Sequence, residues 1–197
     1  MSSMCRRTNR GVTLVELIVF IVIVGVAMAG LFAAFNTITA ASADPQVRKQ
    51  ALAIAESLMD EVQLMPYTIC DPDDPAAETA TLTTDCGTAA EAIGPETILA
   101  VTEARGGAPQ FDNVNDYHDF KMGTLYAMPA GIQDIAGNSI TGLEGYSAII
   151  TITLAGTALG LAADEHALKI SIQVTGPSGV STTLEGYRTR YAPNTLP

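Results

Sequence analysis

A chain of 197 residues with 10 basic and 21 acidic side chains has a formal net charge of −11, which excludes nucleic acid and anionic lipid headgroups as partners recognised by charge. Hydrophobic residues make up 48% and charged residues only 16%, enough for one modest globular domain beside any apolar segment. No G-x-S-x-G elbow, phosphate loop or dinucleotide fingerprint occurs, so neither an enzyme nor a cofactor is expected.

The first ten residues hold Arg6, Arg7 and Arg10 and no acid. Arg10-Gly11-Val12-Thr13-Leu14-Val15-Glu16 follows, and after Glu16 no charged residue appears until Asp44. At about 1.5 Å per residue a helix over that gap crosses a hydrocarbon core of roughly 30 Å, so a membrane-spanning helix is predicted. Glu16 is the anomaly. An acid at the start of an apolar run costs a few kcal/mol to insert, is functional by default and needs a cationic partner. Cutting the chain after Gly11 creates one, the α-amino group of Val12 on a neighbouring copy. The competing reading is an ordinary secretory signal with Ala41-Ser42-Ala43 as its cleavage site. The apolar run, however, exceeds the roughly 7 to 15 residues such signals use, and secretion does not require Glu16.

Glycine, threonine, leucine and glutamate at these offsets before a long apolar helix resemble the processing site of type IV prepilins and of the related type II secretion pseudopilins. In that family a membrane aspartyl peptidase cuts after the glycine and methylates the new N-terminus, and the glutamate five residues on supports methylation and assembly. The resemblance implies processing at Gly11/Val12 and an assembly and methylation role for Glu16; Val12 departs from the usual Phe or Met. It also implies three partners: a prepilin peptidase and methyltransferase, other pilins through the N-terminal helix, and the inner membrane. The expected division is a leader at 1–11, a transmembrane and filament-core helix at 12–43, an amphipathic helix at 44–66 and a β-rich head at 67–197. Because the three arginines precede the span, the N-terminus is expected in the cytoplasm and the head in the periplasm.

Loss of the leader leaves seven basic against the same 21 acidic side chains, a net charge of −14. It also removes Cys5, so Cys70 and Cys86 remain as an even pair in an oxidising compartment and are expected to form a disulfide. A loop of that size stabilises a domain by roughly 3 kcal/mol in the chain-entropy picture. The pair lacks the spacing and histidine partners of a zinc set, and no metal is expected there.

Asp44-Pro45 has the residues of a helix start, an N-cap followed by proline at the first position. Val47, Ala51, Ile54, Leu58, Val62 and Met65 then fall on one helical face predicted to pack on a sheet, with Arg48, Lys49, Gln50, Glu56, Asp60 and Glu61 on wet faces. Pro66 ends the pattern. Residues 70–94 read as an exposed, disulfide-closed loop in which Asp71, Asp73 and Asp74 are solvated, since the prolines among them supply no EF-hand pattern for calcium. Thr97 to Val101 reads as a short strand. Residues 111–120 read as a polar loop with interleaved aromatics, a packed turn in which calcium or glycan contact is an alternative. Tyr146, Ala148, Ile150, Ile152 and Leu154 share one face of a strand, and Leu168, Ile170, Ile172 and Val174 share one face of the next. Gly176-Pro-Ser-Gly179 then reverses the chain, so 180–191 is expected to return antiparallel. The predicted fold class is α+β, a long N-terminal helix on an antiparallel sheet.

Residues 50–59, 70–75 and 111–117 are further similar to segments of minor pilins of the mannose-sensitive haemagglutinin (MSHA) type IV pilus. The expected function is therefore a minor pilin, incorporated in or priming the filament for surface attachment. A minor pseudopilin of type II secretion shares every feature of the N-terminus. A membrane-anchored adhesin head, contacting its ligand through Tyr117 and His118, is the alternative of another class. A hydrolase triad on His118 with Asp119, or His166 with Asp164, has no motif behind it, and both histidines are expected at the surface.

Overall fold

Alternation of buried and less buried residues in the two segments 147–154 and 167–175 underlies the larger sheet of the protein. The computed structural model describes residues 11–88, 90–98, 100–128, 131–191 and 193–194, with only the backbone described at 36–44 and at Ile98. The leader residues 1–10, with Arg6, Arg7, Arg10 and Cys5, lie outside the described residues. Strands β3 (Lys121–Met122), β4 (Ser147–Leu154), β5 (Ala167–Thr175) and β6 (Ser181–Thr189) form an antiparallel sheet in the order β3-β4-β5-β6. Register runs from Ser147↔Thr175 to Leu154↔Leu168 and from Thr175↔Ser181 to Ala167↔Thr189, so the reversal at 176–179 is the tight one its glycines and proline imply.

The α+β expectation holds. Helix α1 (Leu14–Leu64) contains Pro45 and closes just before Pro66. The predicted restart at Asp44-Pro45 is not observed. Proline withdraws one backbone donor and crowds the preceding turn, a cost of about 3 kcal/mol that a helix with good formers on both sides can absorb. The chain divides into two compact units, Met1–Pro45 and Gln46–Pro197.

In the second unit Ala51, Ile54, Leu58 and Val62 are buried as predicted, joined by Ala55 and Met59, and Val47 and Met65 pack at the margin. They meet Ala148, Ile150 and Ile152 of β4 and Leu168, Ile170, Ile172 and Val174 of β5 in one core. Leu154 departs from its expected face, 48% exposed at the last position of β4 where the chain turns away. Thr97 to Val101 is not one strand. β1 (Thr97–Ile98) and β2 (Val101–Thr102) pair antiparallel, and Ala100 takes a left-handed φ of 70° at the reversal.

Candidate functional site

Gly11 and Val12 lie immediately before α1, and Thr13 is its N-cap. The Thr13 hydroxyl accepts the backbone N–H of Glu16 at 3.3 Å and its carbonyl accepts that of Leu17 at 3.1 Å. Thr13-x-x-Glu16 thus has the spacing of a capping box, and Glu16 sits in the first turn, where the helix dipole favours a negative charge. The sequence reading missed this cap; a Ser or Thr three residues before a Glu at the edge of an apolar run is the signal that finds it. Leu14–Phe35 follows, 22 residues with a mean hydropathy of 2.9 and none of them buried, long and apolar enough to cross a membrane. Thr13 satisfies one of the orphan donors at the helix start. Glu16 itself has no basic neighbour among the described residues of that unit, since Gly11–Phe35 contains no Lys or Arg.

Cys70 and Cys86 form the disulfide. The loop that they close is not the solvated segment expected. Ile69, Cys70, Ala77 and Ala80 make a small second core, and Asp71 and Asp74 are buried while Asp73 is exposed. Asp74 is held for its acceptor capacity: its carboxylate takes the N–H groups of Ala76, Gly87 and Thr88 and the Thr88 hydroxyl, which keeps it ionised well below the usual carboxylate range. A buried aspartate organising backbone donors leaves no trace in hydropathy, which scores it as surface.

Behind this loop the fold gathers acids from four distant segments. Three carboxylates at a time come within 4.8 Å of one another: Asp71, Asp73 and Asp112; Glu103, Asp112 and Asp116; Glu91, Glu96 and Asp116. Asp112 and Asp116 each belong to two groups, so the three are joined. Asp116 is wholly buried; its Oδ2 accepts the N–H groups of Asp112 at 2.9 Å and Asn113 at 2.7 Å, while Oδ1 has no hydrogen-bond donor. Glu103 is 4% exposed, with Oε2 likewise unmatched, and neither oxygen of Glu91 has a donor. Burial, reinforced by the neighbouring charges, pushes Glu91 up to about 10 and Glu103 and Asp112 up to about 7, and raises Asp116 in the same direction. The donor set is entirely oxygen, which suits a hard cation and not zinc or copper.

The 111–120 segment is a packed turn. Phe111, Tyr117 and Phe120 meet edge to face with centroids 5.0 to 6.4 Å apart. Tyr117 is 1% exposed and donates its hydroxyl to Glu61 at 3.0 Å, so it is unavailable as the adhesin contact the sequence suggested. Glu61, expected on a wet face, is half-buried and receives a bidentate Arg105 at 2.6 and 2.7 Å. His118 is half-buried, and its Nδ1 accepts the backbone N–H of Ile152; His166 is exposed. Asp119 takes Lys121 and Asp164 takes Thr157, so neither aspartate orients a histidine among the described residues.

Residues 6–32 match a family model described as the prokaryotic N-terminal methylation motif, a span that includes Gly11, Val12, Glu16 and all but the last three residues of the apolar stretch Leu14–Phe35. No curated protein and no solved structure matches the chain.

Proposed function

We propose that the chain is a minor pilin of an MSHA-like type IV pilus, cut after Gly11, N-methylated on Val12 and carried from the inner membrane into a surface filament. The methylation motif supports a type IV pilin- or pseudopilin-like protein, a family that is structural rather than catalytic. The finer assignment rests on the likeness of residues 50–59, 70–75 and 111–117 to the minor pilin MshD. In this reading residues 1–11 are a leader, 12–43 the membrane and filament-core helix, 44–66 its amphipathic continuation, and 67–197 a periplasmic head that later reaches the cell surface.

One observation carries the reading: Gly11-Val12 stands directly before a Thr13-capped helix with Glu16 in its first turn and no buried residue over Leu14–Phe35. Cleavage there liberates an amine on Val12, and Glu16 of an adjoining subunit supplies the complementary charge. The exposed face of 14–35 then exchanges lipid for neighbouring helices, an association driven by packing because the two surroundings are similarly apolar.

Intact mass and N-terminal sequencing of the protein from its native membrane test the proposal. The expected product begins with N-methylated Val12, and Gly11→Ala leaves the precursor uncut. Normal processing of that variant, or a mature chain beginning at Asp44, removes the reading. Recovery in sheared surface fibres separates a pilin from a secretion pseudopilin.

A further inference from the structure

Seven carboxylates converge in the head, and the ion pairs among the described residues, Arg105 with Glu61, Lys121 with Asp119 and Lys169 with Glu185, involve none of them. Like charges at this spacing repel strongly when buried, and desolvated carboxylates require protons, hydrogen-bond donors or a cation. Donors are scarce there. Oδ1 of the fully buried Asp116 and Oε2 of Glu103 receive none, and Asp116 instead faces Glu96 carboxyl to carboxyl.

We infer that Glu103, Asp112 and Asp116 form the centre of a calcium site, which Glu91 and Glu96 extend on one side and Asp71 and Asp73 on the other. Three carboxylates binding through both oxygens supply six ligands, the lower end of the six to eight oxygens that calcium takes in flexible geometry, and the flanking acids can add more. The side-chain carbonyls of Asn113 and Asn115, buried in the same turn, also lack a donor. Magnesium fits less well, because it demands a small near-ideal octahedron and retains its waters. Exposed Asp73 provides a solvent-side approach to a cluster whose other end is buried. The ion joins the disulfide loop, the 91–96 segment, the residue after β2 and the 112–116 turn, a part of the head with little regular secondary structure. This inference concerns the head alone and does not depend on how the N-terminus is processed.

The test uses the full chain in detergent micelles, followed by far-ultraviolet circular dichroism during heating, with CaCl2, MgCl2 or EGTA. At about 5 mM CaCl2 the head is expected to melt about 3 °C or more above its value in EGTA, with a smaller shift in MgCl2. Calorimetric titration with CaCl2 is expected to give at least one ion per chain. Asp116→Asn and, separately, Glu103→Gln abolish the calcium shift while melting in EGTA no lower than the parent, since each removes an uncompensated charge. If Asp116→Asn fails to fold, Glu103→Gln and Asp112→Asn carry the comparison. No calcium shift and no heat in the parent protein overturns the site and leaves shared protons as the neutralising agent. An equal response to magnesium, or a calcium shift retained in all the variants, also overturns it.

Discussion

Arg105 is the side chain on which the loop half of the head is hung. Its Nε and Nη2 grip Glu61 of α1, its Nη1 donates to the carbonyls of Gln133 at 3.1 Å and Asp134 at 2.8 Å, and its guanidinium lies 5.8 Å from the Phe120 ring centroid. Removing Arg105 strands the half-buried Glu61, so Arg105→Ala is expected to destabilise the head by about 3 kcal/mol, the low end for buried pairs because Glu61 keeps some contact with solvent. Urea unfolding of the full chain in micelles reads this as a lowered midpoint; an unchanged midpoint contradicts the assignment. None of this was legible beforehand. Glu61 satisfies the helical pattern of a solvated position, and Arg105 lies 44 residues away in a glycine-flanked loop, so no local periodicity links them. Asp71 and Asp74, expected in solvent, were misread for a related reason. Each binds nearby backbone N–H groups, chemistry that a hydropathy pattern records only as polarity.

At the scale of elements, what was legible is what repeats. The stripe through Ala51, Ile54, Leu58 and Val62 and the alternation in β4 and β5 bury the residues that their periods select, because helix and sheet each present one face to a common core. The closeness of that contact was not legible. Gly186 of β6 lies under α1, and a Cβ built on it would stand 2.9 Å from Met59 Sδ and 3.0 Å from Gln63 Nε2. The sequence shows only a glycine in an otherwise regular strand. Gly186→Val is expected to force the helix outward or distort its rotamers, a cost of about 1 to 3 kcal/mol. Denaturant unfolding with an unchanged m-value checks it, and a loss below half a kcal/mol would show that Met59 and Gln63 simply swing aside.

For the whole molecule the governing fact is the 22-residue stretch Leu14–Phe35 of α1, uncharged after Glu16 and with none of its residues buried. Such a surface requires lipid or partner helices, and Glu16 at its start makes the choice of partner electrostatic as well as apolar. Glu16→Ala is expected to leave cleavage at Gly11 intact while the amount recovered in sheared filaments falls about tenfold or more, the equivalent of about 1.4 kcal/mol lost per docking step. Full recovery would show that docking proceeds without the carboxylate. The methylation motif and the apolar stretch were legible because they are linear, a fixed spacing followed by unbroken hydropathy. The Cys70–Cys86 link ties two kinds of order together. Cys70 runs straight into Asp71, and Cys86 into the two amides that seat Asp74, so the sulfur bridge and the carboxylate clasp the same short segment from either side and a change at one is felt at the other.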